Sequence, residues 1–292
     1  MADASGSPVE PTRSAGAAGA VGAGSVGAPG IDPAIAAAGA VVVLPTYNEL
    51  RNLAPIVEAA LAMAGVGGVI IVDDGSPDGT GRAADALASA HHGRVGVVHR
   101  PRKLGLGTAY AAGFERAIAA GARLVCTMDA DFSHDPRALS SLIDGAEAAD
   151  LVIGSRYAPG GSIEGDWGWH RRALSGCANA LAHRVIGLHA RDCTSGFRCY
   201  RAALLAAVDY PSIRSSGYSY LLEMLFRCER AGAVVAEVPI RFTDRRHGAS
   251  KISRTEIGRA AETVGRLAWR RWRSRTRLRP RGAAASSSRA RW

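Results

Sequence analysis

Leu124-Val125-Cys126-Thr127-Met128-Asp129-Ala130-Asp131 is the stretch on which the fold of this chain turns. An unbroken apolar and β-branched run is the pattern of a strand covered on both faces, as in a parallel sheet. It ends abruptly on two carboxylates one residue apart. Like charges held this close are tolerated when a cation, or a metal carried by a polyphosphate, lies between them. Asp135-Pro136 just downstream reads as a helix cap, and capping leaves Asp129 and Asp131 unexplained.

The same design appears upstream. Ala40–Leu44 is a buried first strand ending in Pro45-Thr46-Tyr47-Asn48-Glu49, and Val69–Val72 runs into Asp73-Asp74-Gly75-Ser76-Pro77-Asp78-Gly79-Thr80. Helical spacing over Leu53–Ala64 and Gly81–Ala90, and from Gly105 to Ala120, alternates with strands at Val95–Val98, Leu124–Met128 and Leu151–Gly154. Alternation at this length predicts an α/β fold, a mostly parallel sheet with helices on both faces. In such sheets ligands bind beyond the carboxyl ends of the strands, where each of these polar turns sits.

The second half is less regular. A Gly-rich loop over 158–170 carries Trp167 and Trp169, and a helix is expected over Arg171–Ile186. Asp192–Tyr200 reads as a turn into a short strand, Tyr218–Ala231 as a helix, Val234–Thr243 as a strand, Asp244–Ser253 as a polar loop and Thr255–Trp272 as a basic helix. The expected units are an Ala/Gly-rich disordered extension over 1–38, one domain over 39–254, and a basic amphipathic helix with an Arg-rich tail over 255–292. The extension has no aromatic residue and one basic residue, Arg13, so it cannot build a core and does not read as a signal peptide.

Charge is distributed unevenly. Residues 266–292 hold ten arginines and no acid, while the rest of the chain balances 26 basic against 26 acidic residues. The basic character is therefore an appendage whose partner is anionic. Ile257, Ala261, Val264 and Ala268 follow helical spacing among these arginines, with Leu267, Trp269 and Trp272 near one end. A basic helix with tryptophans reads as lying in a membrane interface, and interleaved Trp favours lipid over nucleic acid. No apolar segment approaches the roughly 20 residues of a spanning helix. Five cysteines without a CxxC pair read as reduced packing residues, and no Cys/His cluster makes a zinc site.

Asp129 and Asp131 suit Mg²⁺ or Mn²⁺, hard ions that take one or two carboxylates and complete their shell on substrate phosphates. The ion would neutralise charge on a departing diphosphate. Asp74 sits where a base or ribose would lie, with Tyr47 and Glu49 beside the same nucleoside, whereas Asp78 shapes its own turn. Gly105-Leu106-Gly107 is half of a dinucleotide fingerprint and reads as helix-start geometry. Arg156, Arg171, Arg245 and Lys251 gain interest from context, because arginine makes bidentate phosphate contacts.

Together these residues resemble the inverting GT-A glycosyltransferases, and among them the polyprenyl-phosphate (dolichol-phosphate) mannosyltransferases. The match spans about residues 40–255 in eight ordered blocks. They are Pro45–Glu49, Asp73–Thr80, Leu104–Tyr110, Met128–His134, Gly154–Tyr157, Arg171–Ser175, Thr194–Tyr200 and Gly248–Lys251. The resemblance implies a GT-A, Rossmann-like fold and transfer of mannose from GDP-mannose to polyprenyl phosphate. It implies that Pro45, Tyr47, Glu49, Val72 and Asp74 bind the guanosine nucleotide, and that Asp129, Ala130 and Asp131 hold metal and sugar nucleotide. Arg156, Arg245 and Lys251 would close on the diphosphate and sugar, with Arg245 grouped with Asp129 and Asp131 as catalytic. Arg171 and Ser175 match positions that grip the acceptor phosphate. Some family members carry C-terminal transmembrane helices; this chain is expected to sit peripherally on the cytoplasmic face, with an integral membrane partner plausible.

The chemistry agrees with this expectation. An alcohol acceptor needs a general base, and no His or Asp stands apart from the acid cluster to serve. A phosphate monoester, with a second pKa near 6, is already anionic at neutral pH. Two readings compete: transfer from UDP-glucose in the same class, and a non-catalytic nucleotide-sugar or lipid-phosphate binding subunit. A nucleic-acid-binding protein driven by the Arg tail is a third.

Overall fold

In the computed structural model, residues 30–165, 169–215, 217–243 and 254–277 are described, the side chains of 169–174, 254–261 and 274–277 excepted. The chain runs α1 (Pro33–Ala38), β1 (Ala40–Thr46), α2 (Leu50–Leu61), β2 (Val66–Asp73), α3 (Thr80–Ala90), β3 (Val95–His99), α4 (Leu106–Ala119), β4 (Leu124–Thr127) and α5 (Leu139–Gly145). It continues through β5 (Leu151–Ser155), β6 (Ser162–Ile163), α6 (Trp169–Leu181), β7 (Arg198–Arg201), α7 (Ala202–Ala207), α8 (Tyr218–Arg230), β8 (Val235–Pro239), β9 (Arg241–Phe242) and α9 (Arg254–Arg277).

Seven strands form one sheet in the order β3-β2-β1-β4-β7-β5-β8. β1 pairs in parallel with β2 and β4, and β5 with β8, while β7 runs antiparallel to both neighbours. Strand residues alternate between two cores, as a pleated sheet covered on both faces requires. Val41, Val43, Ile70, Val72 and Val125 face α4, α8 and α9, and Val42, Leu44, Val69, Ile71 and Cys126 face α2, α3 and α5. The carboxyl ends of β1, β2 and β4 emerge side by side, because Thr46 pairs with Asp73 and Val43 with Thr127. The antiparallel β7 sets Arg198 opposite Thr127, which delivers the loop preceding β7 to that same end.

Three expectations are corrected. Ordered structure begins before residue 39: Asp32 caps α1 by accepting from the Ala34 amide at 2.7 Å, and Ile31 and Ala36 are buried. A small-residue helix packs here because its neighbours are glycines; a Cβ on Gly67 would lie 2.5 Å from the Ile35 carbonyl oxygen. Residues 234–243 do not form one strand. They break at Ile240, whose N–H bonds Ser155 O and whose carbonyl receives Ser162 N–H, so that β9 leaves the main sheet and pairs with β6.

The third correction concerns α9. Val264 and Leu267 are buried in the core with α8, so the apolar face expected to enter a membrane is already used. Trp269 and Trp272 are 57% and 56% exposed and stack on each other at 5.0 Å. The side chains of Ile257 and Ala261 lie outside the described residues. No described helix is long and apolar enough to cross a membrane.

Candidate active site

A cavity of about 540 Å³ opens at the carboxyl ends of β1, β2 and β4. Pro45, Tyr47, Glu49 and Asp74, the acid turn Asp129, Ala130 and Asp131, and Gly217, Tyr218 and Leu221 of the α8 start all line it.

The part lined by Pro45, Tyr47, Glu49 and Asp74 is built by hydrogen bonds between successive strand ends. Thr46 donates to Asp73 Oδ1 at 3.1 Å, and the amides of Asn48 and Glu49 donate to Ser76 Oγ and Thr80 Oγ1, each at 3.0 Å. Asn48 takes φ 60°, a left-handed conformation Asn tolerates better than most residues. Asp74 is buried against Arg100 at 2.6 Å, an ion pair rather than an aligned hydrogen bond, and accepts from the Leu104 amide at 3.3 Å. Burial raises its pKa, opposed by Arg100. Lys103 Nζ stands 4.7 Å from the Tyr47 ring centroid. Asp78 closes the turn before α3, accepting from Thr80 N at 3.0 Å and Thr80 Oγ1 at 2.6 Å, so it shapes the turn as expected.

The acids occupy a strained turn. Phe132 has φ 63°, a left-handed backbone at a bulky residue, costing of order 1–3 kcal/mol. Ser133 donates its amide (3.0 Å) and hydroxyl (2.6 Å) to Asp131 Oδ1, and Thr243 donates its hydroxyl to the Phe132 carbonyl at 3.1 Å. The Asp129 amide donates to His134 Nδ1 at 3.1 Å. His134 is buried and stacked on Phe197 at 4.9 Å, and burial lowers its pKa despite the nearby carboxylates. It is therefore neutral, with its proton on Nε2. Tyr110 donates to Asp129 Oδ1 at 3.5 Å.

These two carboxylates pass the test for a divalent ion. They are hard oxygen donors, Asp129 is 35% exposed to the cavity, and no cluster of three or more His, Cys, Asp or Glu exists among the described residues to saturate a metal. Two protein ligands leave coordination positions for diphosphate oxygens, the arrangement Mg²⁺ favours.

Residues 41–208 match the family described as glycosyl transferase family 2. The chain belongs to glycosyl transferase family 2. This glycosyltransferase is 44% identical over 234 residues to polyprenol monophosphomannose synthase of Mycolicibacterium smegmatis, an overlap covering 79% of this chain and 88% of the relative. It is 41% identical over 226 residues to undecaprenyl-phosphate mannosyltransferase of Micrococcus luteus, covering 77% and 92%. Glucosyl-3-phosphoglycerate synthase from Mycobacterium tuberculosis, solved with Mn²⁺, UDP and glucosyl-3-phosphoglycerate, aligns with a TM-score of 0.55 at 22% identity, covering 82% of this chain and 87% of that one. The same enzyme with Mg²⁺ and UDP gives 0.53 at 22% identity, covering 81% and 85%. At that identity the likeness establishes the GT-A-type fold.

The glycosyltransferase places the expected site residues unequally. Pro45, Tyr47, Glu49, Asp74, Asp129, Ala130, Asp131 and Arg156 converge on the cavity. Val72 does not: its side chain is buried in the sheet's core, and its carbonyl accepts from Thr46 Oγ1 at 3.5 Å. Arg156 lines the cavity with its guanidinium paired to Asp192. Nε and Nη2 each contact Asp192 at 2.7 Å, Nη2 also donates to Thr194 at 2.7 Å, and the Arg156 amide bonds Asp192 at 3.0 Å. Through these bonds it holds the loop before β7 at the cavity. Ser175 is outside the cavity lining, and its Oγ accepts from Tyr157 Oη at 2.8 Å. The Arg171 side chain, Arg245 and Lys251 lie outside the described residues.

Sequence reasoning gave no site role to His134, Lys103, Thr194–Gly196 or Tyr218. The first three groups fall in or beside blocks that carried the family resemblance. Tyr218 carries no such signal and comes to the cavity only through the packing of α8.

Proposed function

We propose that this glycosyltransferase transfers mannose from GDP-mannose to a polyprenyl phosphate with inversion, releasing GDP, as a peripheral enzyme on the cytoplasmic side of a membrane. The observation that carries the reading is the Asp129-Ala130-Asp131 turn lining the cavity, in a chain 44% identical to a named polyprenol monophosphomannose synthase.

Tyr47, Glu49 and Asp74 take the nucleoside, and Asp129 and Asp131 hold Mg²⁺ or Mn²⁺. The bound ion supplies charge neutralisation for the leaving diphosphate. Arg245 and Lys251 add positive charge there, and Arg171 and Ser175 grip the acceptor phosphate. His134 supports the choice of acceptor: its Nδ1 is occupied by the Asp129 amide, so it is no base for an alcohol. A phosphate monoester needs none, being anionic at neutral pH. Trp269 and Trp272, exposed beside Arg270 and Arg273, provide the lipid contact, and five unpaired cysteines suit a reducing compartment.

The test is a donor panel: purified protein, polyprenyl phosphate, Mg²⁺ and each nucleotide sugar, with product mass as readout. Polyprenyl-phosphate hexose from GDP-mannose alone is expected. Product from UDP-glucose instead would overturn the donor assignment, and no product from any donor would overturn the transferase reading of the lipid acceptor.

A further inference from the structure

Glu223, on α8, is a carboxylate with no exposed surface and an unusual number of cationic partners. Arg227 Nη2 lies 2.8 Å from Oε1, Arg266 Nη2 lies 2.9 Å from Oε2 and Arg270 Nη1 lies 3.6 Å from Oε1. Ser215 Oγ donates to Oε2 at 2.6 Å, and Arg266 also donates to Ser215 Oγ at 2.6 Å. Two of the three arginines belong to α9. Arg271, further along α9, donates to the Val185 carbonyl at 3.2 Å, at the turn that ends α6. Three arginines of the basic helix thus bind other elements of the fold, while Arg266 and Arg270 stay 36% and 49% exposed.

The cluster touches the cavity through the chain itself. Ser215 is two residues before Gly217 and three before Tyr218, both of which line the cavity. Arg227 reaches the same segment from behind, donating to Ser212 Oγ at 2.7 Å and to the Asp209 carbonyl. Segment 209–215 therefore hangs between α8 and α9, and its continuation lines the cavity. Tyr218 and Arg156 line the same cavity.

We propose that Glu223 is a positioning residue: with Ser215 and Arg266 it latches α9 onto the segment leading to Gly217 and Tyr218 in the cavity lining, a stretch we assign to the acceptor, so that docking of the C-terminal helix sets the site for the acceptor and not for the nucleotide. A buried carboxylate shared by three cations needs all of its partners, because an unmatched charge at this depth is costly. Undocking α9 removes Arg266 and Arg270 together and leaves Ser215 held by a carboxylate with one cation.

The proposal rests on the polyprenyl-phosphate reading for its kinetic arm, and the experiment separates the two. Full-length wild type, Arg266→Gln and Arg266→Lys are compared with a short-chain, water-soluble polyprenyl phosphate, so that membrane partitioning does not enter. Arg266→Gln should raise the acceptor KM about tenfold, the loss of one charged hydrogen bond, with GDP-mannose KM and kcat within about twofold, and Arg266→Lys should recover most of it. In parallel, hydrogen exchange over 209–222 should quicken about tenfold in Arg266→Gln, whichever acceptor is used. A fall in kcat with both KM values unchanged would mark a purely structural residue and overturn the proposal. So would unchanged exchange over 209–222. A wild type inert toward the lipid would defeat the acceptor assignment, leaving the latch to be judged by exchange.

Discussion

The amide of Asp129 donates to Nδ1 of His134 across 3.1 Å, which ties the first acid of the cavity to a buried ring stacked on Phe197 and met edge-on by Phe242. The bond needs an unprotonated Nδ1, so the acid turn and the protonation of His134 are one system. His134 titrates below its ordinary value of 6.5 because burial opposes its charge. Below pH 6.5 the unfolded chain therefore binds a proton that the folded chain refuses, and stability falls as pH drops through that range. Urea unfolding of wild type and His134→Gln between pH 5 and 7.5 should show a steeper loss in wild type. Parallel curves would remove His134 from the linkage.

Asp131→Asn keeps the size of the side chain and its bond from Ser133 but removes the charge that faces a metal. Transfer should fall by at least about a hundredfold, a loss of several kcal/mol of charge stabilisation. The melting temperature should stay within a few degrees. Near-wild-type turnover with saturating Mg²⁺ would refute the metal role.

Arg156 and Asp192 form a buried bidentate pair. Arg156→Ala leaves a carboxylate with no exposed surface unpaired, which should cost about 3–5 kcal/mol of folding stability. The double variant Arg156→Met/Asp192→Leu should recover part of that loss in chemical denaturation, as expected when both charges are removed. If Arg156→Ala unfolds like wild type but fails only in donor binding, the guanidinium serves the diphosphate after all.

The two sides of α9 should respond to different measurements. Leu267→Ala opens a hole in the core and should cost about 2–4 kcal/mol of stability. The pair Trp269→Ser/Trp272→Ser should leave stability within about 0.5 kcal/mol but weaken sedimentation with anionic liposomes several-fold. Unchanged partitioning in the double variant would exclude the tryptophans as the lipid contact.

The strand–helix alternation and the acid turns were legible because they depend on local pattern. An apolar run ending in Asp129 and Asp131 must be a buried strand opening onto a polar end, and Asp78 announces its own turn. Arg156 shows the limit. Its position after β5 marked it as near the ligand, while the Asp192 that neutralises it lies 36 residues away and meets it only through tertiary folding. Val72 was placed by resemblance in a binding set, yet its side chain points into the core. α1 was hidden because alanine carries no periodic signal, and its packing depends on glycines far along the chain.

The sequence by itself determined the α/β class, the order of the parallel strands' polar ends and the acid pair among them, since periodicity and charge crowding are local. Only the tertiary structure decided that β7 runs antiparallel, bringing Thr194–Gly196 to the acids. It also decided that Val264 and Leu267 of the basic helix pack in the core and that Arg266 and Arg270 meet Glu223. Both outcomes depend on which distant partner satisfies a buried charge or hydrogen bond, and such a pairing leaves no periodic trace in the chain.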